Sequence, residues 1–163
     1  MSNWRPVELD RASLLAVLKK AAQFTAGLDD AELEKLSSTA YPEECDANCI
    51  LTKEDERSRD LFIVVKGALS VEVNLTPQDA NPISILKIRD NCVAGELSFL
   101  DGARRSASLK AVMPTTVIRF PHNKVEALFN AEKGIGLTVT RNLAQLVTHR
   151  LRSTNFELRS RLP

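Results

Sequence analysis

The sequence predicts a mainly β, α+β domain with helices at both ends. Three observations carry that expectation. After Asp10, Leu14, Leu15, Leu18 and Ala22 recur at helical spacing. Between about residues 40 and 120 the chain turns to short apolar runs rich in β-branched residues, separated by turn signals. Beyond Pro121 helical segments return and end in a long stretch with few breakers. The 163 residues suffice for one domain with a real core and fall short of two ordinary ones. We therefore read 1–163 as one domain, with helices over about 10–37, strands over about 40–120 and helices again over about 122–160.

Each element has its own signal. "LDDAELEKL" is a helix start, in which Asp29 is placed to cap, Glu32 to complete a capping box, and Leu28 and Leu33 to staple the entry. "LFIVVKGALSVEVNL" reads as a strand pair. Leu69, Val71, Val73 and Leu75 alternate with Ser70, Glu72 and Asn74, which predicts one buried and one wet face. "TPQDANP" breaks the run as a hairpin loop, and "ISILKI", "SASLKAVM" and "TTVIRF" read as further strands. Short strands at this spacing predict an antiparallel sandwich, barrel or roll. "HNKVEALF" is a short helix interrupted by Gly134 and Gly136. "LTVTRNLAQLVTHRLRSTNFEL" is one long helix, with Leu143, Val147, Leu151 and Leu158 near one stripe.

Composition narrows the function classes. Hydrophobic residues at 44% and charged residues at 26% describe a soluble globular chain. A net charge of +1 argues against a broad nucleic-acid or membrane surface. With no bilayer-length apolar run and no signal-peptide pattern, a cytoplasmic location is expected. Cys45, Cys49 and Cys92 have no framework spacing, and His122 and His149 are isolated, so the thiols are expected to be buried or half-buried, with no metal bound. No nucleophile–base pair or nucleotide-hydrolysing motif is visible, and no enzyme is expected.

One segment is left over by these packing arguments: "GELSFLDGARRSAS", Gly95 to Ser108. Gly95 lets the backbone approach a ligand closely. If "ELSFL" forms a helical turn, its first N–H groups favour an anion. Arg105 offers a planar fork to phosphate oxygens. Glu96, ionised, only accepts hydrogen bonds and so suits sugar hydroxyls. Ser106 and the backbone after it add donors. Sugar on one side and phosphate on the other describe a nucleotide. Gly102 and Arg104 are read as a turn residue and a surface residue.

The segment resembles the phosphate-binding cassette of cyclic-nucleotide-binding domains, the family of the bacterial catabolite activators, protein kinase A and G regulatory modules and cyclic-nucleotide-gated channels. The matching residues are Gly95-Glu96-Leu97, Phe99-Leu100, Asp101-Gly102 and Arg105-Ser106-Ala107-Ser108. The spacing fits the kinase-type cassette without a gap, which selects Arg105 over Arg104. "DLFIVVKGALSV" resembles the family's strand pair around a central glycine, Gly67, and the flanking helices fit as well.

The resemblance implies a double-stranded β-helix, a jelly-roll-like β-roll of eight strands, with N-terminal helices and a long C-terminal helix. It implies that Glu96 holds the ribose 2′-OH and Arg105 the phosphate of cAMP or cGMP. The backbone of Leu97, Ser98, Ser106 and Ala107 would line the rest. Set against the activators' final helix, "HRLRSTNFE" places Thr154 and Asn155 where base-contacting polar residues sit. The sequence departs from the family in the turns before the strand pair, where the usual glycines are replaced; we read Ala47 and Glu54 at those places.

Two functions follow as expectations. The first is a cyclic nucleotide sensor, for cAMP rather than cGMP. With no DNA-binding or other output domain in the chain, it would act through an effector protein or a homodimer formed by the C-terminal helix. The second is a ligand-free domain of the same fold serving interaction or dimerisation, which the altered turns favour.

Overall fold

The structure is a computed structural model and describes residues 4–76 and 81–161. The hairpin loop expected within Thr76–Pro82 lies largely outside the described residues. An N-terminal strand β1 (Trp4–Pro6) precedes helices α1 (Arg11–Lys20), α2 (Ala22–Thr25) and α3 (Asp30–Ser37). Strands β2 (Tyr41–Cys45), β3 (Ile50–Thr52), β4 (Leu61–Lys66), β5 (Ala68–Val73), β6 (Ile83–Arg89) and β7 (Val93–Ala94) follow. Then come α4 (Glu96–Asp101), β8 (Ser108–Ala111), β9 (Thr115–Phe120), α5 (His122–Ala131) and α6 (Lys133–Arg161). Both sheets are antiparallel, in the orders β1-β2-β9-β4-β7 and β3-β8-β5-β6. Strands β2 to β9 form the expected eight-stranded roll. β1, which the sequence reading did not anticipate, adds to its edge on β2.

The N-terminal caps form as the sequence requires. Asp10 accepts from Ser13 N at 2.9 Å, and Asp29 and Glu32 make both halves of a capping box. β4 explains its own unbroken apolar run. Leu61 and Ile63 point into a cluster beneath the helices, with Leu18, Phe24, Phe120 and Leu143. Phe62 and Val64 point the other way, into the roll, with Leu69, Leu109 and Val117. The strand is buried on both faces, so no polar alternation is written into it.

β5 is less regular than its alternation suggests. Leu69 is buried, but so is Ser70, whose hydroxyl lies 2.7 Å from Ser84 Oγ, and Leu75 is 71% exposed. Gly134 and Gly136 do not interrupt the C-terminal helix. The break falls earlier, at Glu132, with φ −123° and ψ 78°. Gly136 sits where a Cβ would lie 3.0 Å from Phe129 Cβ, so its absent side chain lets α6 pack closely on α5. The buried stripe of α6 is Ile135, Val139, Leu143 and Leu146, whereas Leu151 and Leu158 are 59% and 57% exposed. The anticipated stripe therefore divides: its N-terminal half packs on the roll and its C-terminal half does not.

The altered turns also resolve. Among the described residues other than glycine, those with left-handed backbone are Asn48 (φ 69°), Asp55 (φ 68°) and Asn91 (φ 63°), not Ala47 and Glu54. Asn and Asp tolerate that region better than other side-chain-bearing residues, so the turns keep their shape without glycine. No helix among the described residues is long and apolar enough to cross a membrane.

Gly67 is the corner at which the chain leaves one sheet for the other. Its φ is +106°, and a Cβ there would lie 2.6 Å from Thr115 Oγ1 and 2.8 Å from Pro114 O. Gly67→Ala should cost about 2–4 kcal/mol, from backbone strain and overpacking together. Denaturant unfolding monitored by circular dichroism checks this; a loss within error of zero would show that the corner relaxes freely.

Candidate functional site

The site is built where β7 ends and α4 begins. Gly95 caps α4 in the left-handed region, φ 85° and ψ 11°. A Cβ on it would lie 2.7 Å from Arg105 Nη1 and 2.8 Å from Asp60 O. The close approach that glycine permits is thus to Arg105. α4 is closed by Gly102, whose N–H donates to Ser98 O at 3.1 Å, and Asp101 Oδ1 accepts from Ala103 N at 2.8 Å. The chain then returns beside the Asp55 turn. Arg105 N donates to Glu56 O at 3.0 Å, and Asp55 N donates to Arg105 O at 2.9 Å. Arg104 stays at the surface and donates to Asp55 O at 2.7 Å.

Arg105 is 4% exposed. Nε donates to Ser58 Oγ at 2.9 Å, Nη1 to Gly95 O at 3.2 Å and Nη2 to Asp60 O at 2.8 Å. The guanidinium carbon also lies 5.9 Å from the centroid of the Phe62 ring. These hydrogen-bond acceptors are all neutral, and among the described residues no carboxylate forms an ion pair with it. Burial lowers its pKa, while the charges of Asp60, Glu56 and Glu96 act through space in the opposite sense. A guanidinium has five N–H donors, so each Nη retains an unspent one. The result is a fixed, desolvated cation without a counter-ion.

Glu96, 5% exposed, is paired with Arg150 of α6, whose Nη2 also donates to Val93 O at 2.8 Å. The sequence reading missed Arg150. A signal was present: Arg150 stands four residues before Thr154, on the same helical face.

These residues enclose a cavity of about 320 Å³. One side is the cassette, with Gly95, Glu96, Leu97, Ser98, Arg105, Ser106 and Ala107. The opposite wall is apolar, from Val71, Ile85, Leu86, Ile88 and Leu109. Arg150 and Thr154 of α6 and Thr52 of β3 complete it. Eight of the nine site residues read from the sequence therefore meet around one space. Asn155 is exposed and does not line it.

A larger hollow of about 730 Å³ also borders Arg105. It is lined too by an ion-paired cluster. Arg119 pairs with Glu43 at 2.9 Å and with Asp60 at 3.1 Å. Gly95, Glu96, Leu97, Ser98, Ser106 and Ala107 of the cassette line only the smaller cavity, which makes that one the candidate site. The cysteines are free thiols, and burial with the neighbouring Cys49 pushes Cys45 up to about 12. Among the described residues no cluster of His, Cys, Asp and Glu is assembled that could hold a metal.

The chain belongs to the cyclic nucleotide-binding domain family, whose sequence profile matches residues 42–132, more than half of its length. Solved structures share the fold. A cyclic nucleotide-binding domain from Methylobacillus flagellatus KT superposes with a TM-score of 0.85 at 22% identity, over 99% of this chain and 91% of that one. The regulatory domain of Toxoplasma gondii PKA, crystallised with cAMP, gives 0.72 at 19% identity, over 85% of this chain and 50% of that one. Thermus thermophilus catabolite activator protein gives 0.69 at 23% identity, over 83% of this chain and 61% of that one. No curated protein matches the sequence.

The Glu96–Arg150 pair generates a stability test. Removing one partner of a buried pair typically costs about 3–5 kcal/mol, because the other charge stays behind. Arg150 is 25% exposed at its side chain, so water partly compensates. Arg150→Ala should cost about 1–3 kcal/mol in the unliganded protein, and most of that should vanish in the Glu96→Gln background. A double-mutant cycle by denaturant unfolding measures the coupling; additive losses would show that the pair does not hold α6 to the cassette.

Proposed function

We propose that the domain binds a cyclic nucleotide, cAMP in preference to cGMP, and relays binding through α6 to a second copy or an effector protein. The observation that carries the reading is Arg105. Burying a charge without an anionic partner is costly, and here the cation lies on a cavity that a nucleotide would fill. A cyclic phosphate would take the unspent Nη donors together with the backbone of Ser106 and Ala107. Glu96 is engaged by Arg150 through Oε1 only. Its other oxygen can accept from a ribose 2′-OH.

The preference for adenine rests on the apolar wall. Val71, Ile85, Leu86 and Leu109 offer no side-chain hydrogen bond to a base edge. Guanine carries one more exocyclic polar group than adenine to desolvate there, which disfavours it. Thr154, at the mouth, has both a donor and an acceptor for the base.

The relay rests on exposure. Leu137, Leu151 and Leu158 are 62%, 59% and 57% exposed, and with the exposed Ala144 they recur every seven residues. A seven-residue repeat keeps one position of each heptad near a shared face, on which a second helix could pack. Thr154 lies between Leu151 and Leu158, so a helix pairing with its copy would carry the base contact with it. The other reading, a ligand-free interaction domain, draws on the three neutral acceptors that already hold Arg105.

Calorimetry with cAMP and cGMP separates the two. We expect binding to both, tighter for cAMP. Truncating one side of a buried charge pair costs about 2–5 kcal/mol, so Arg105→Ala should weaken binding by a factor of roughly 30 to several thousand. Arg104→Ala should leave it unchanged. The absence of heat and of a thermal shift at millimolar ligand would retire the sensor reading.

Ligand should also change α6, because only a contact that differs between two states can shift their populations. In hydrogen exchange the 143–158 backbone should gain protection on adding cAMP. Tight binding with unchanged exchange there would leave the pocket intact and remove the relay.

A further inference from the structure

Thr52 ends β3, is 3% exposed, and has no hydrogen-bond partner for Oγ1 among the described residues. It is the one buried side-chain polar atom so left among them. The local backbone aims it inward. β3 pairs with β8 through Ile50–Lys110 and Thr52–Leu109, and the register shifts between the two pairs. Such an irregularity re-aims a side chain. Valine has nearly the same shape and would fill the position without burying a hydroxyl, so packing alone gives no reason for threonine.

Its place in the site is specific. Thr52 and Arg105 are the two residues shared by the walls of the smaller cavity and the larger hollow. Thr52 therefore stands at the Arg105 end of the cavity. An unpaired hydroxyl lining the same cavity as an unpaired guanidinium matches an anionic oxygen: the hydroxyl donates and the cation neutralises.

We infer that Thr52 is a further phosphate-binding residue, its Oγ1–H donating to the same anionic group that Arg105 holds. The inference rests on the cyclic nucleotide reading. It also assigns a consequence: the hydroxyl is held at the expense of stability until ligand arrives. A contact to phosphate is common to every cyclic nucleotide, whereas a contact to the base is not.

Thr52→Val and Thr52→Ser, with wild type, test this by calorimetry against cAMP and cGMP and by melting without ligand. A hydrogen bond to a charged group corresponds to roughly a tenfold change in affinity. Thr52→Val should bind both nucleotides about tenfold more weakly, by one common factor, and Thr52→Ser should recover most of the loss. Without ligand, Thr52→Val should melt at or above the wild-type temperature. Wild-type affinity in Thr52→Val overturns the inference while leaving the nucleotide reading standing. A loss confined to one nucleotide overturns it in favour of a base contact. A clear fall in the unliganded melting temperature overturns it in favour of a structural hydroxyl. If wild type binds neither nucleotide, the underlying reading fails and this inference fails with it.

Discussion

The arrangement of the site depends on one buried cation. Arg105 is fixed by Ser58, Asp60 and Gly95, which belong to the segment before β4 and the end of β7. Its guanidinium is packed by Phe62, whose ring faces into the roll and stacks on Trp4 with centroids 6.0 Å apart. The backbone on either side is tied to the Asp55–Glu56 turn. Each constraint comes from a different stretch of chain, so the position of the charge is a property of the folded roll. That is electrostatic preorganisation: the cost of orienting and desolvating the cation is met during folding, before any anion arrives.

The second dependency runs from the cassette to α6. Glu96 is the first residue of α4 and Arg150 lies about five turns into a rod of about 1.5 Å rise per residue. Their pairing is a point at which an event in the cavity is felt by the helix. A ribose hydroxyl on Glu96 would compete with or reinforce Arg150 at one carboxylate. The rest of α6 divides accordingly. Up to Leu146 its apolar stripe is buried against the roll; from Leu151 its side chains are exposed through Ser160. The anchored half can transmit a displacement, and the exposed half can be displaced without loss of core.

Much of this was legible in the sequence, for a physical reason. The cassette is contiguous: glycine, carboxylate, apolar turn and arginine lie within fourteen residues, and their chemistry can be read without knowing the fold. The capping box at Asp29–Glu32 and the doubly buried β4 were local too. What was not legible depends on distant chain. Arg150 acquires its meaning only when α6 crosses the cassette. Thr52 reads as an ordinary strand residue until its neighbours prove to offer it no acceptor. β1 is three residues long, and its pairing with β2 decides its state. The turn glycines were sought by residue type, whereas the backbone needs only a left-handed conformation, which Asn48 and Asp55 supply one position further on.

The two unusual groups in the cavity point the same way. A core selected for stability alone would pair Arg105 with a carboxylate and place valine at Thr52. The carboxylates nearest in charge are turned elsewhere: Asp60 receives Arg119 at 3.1 Å and the His122 N–H at 3.0 Å, and Glu96 receives Arg150. The protein has anions within electrostatic reach of the guanidinium and uses each for another contact. An apolar wall is formed by β5, β6 and β8, and the other charges on the cavity, Glu96 and Arg150, pair with each other. One fixed positive end, one hydroxyl without an acceptor and one apolar end define a ligand with a compact anion and a flat, weakly polar ring. Proteins tolerate such local violations of packing economy where function requires them. Arg105 and Thr52 also border the larger hollow, so it is Glu96, Leu97, Ser98, Ser106 and Ala107, which line the smaller cavity alone, that single it out as the candidate ligand site.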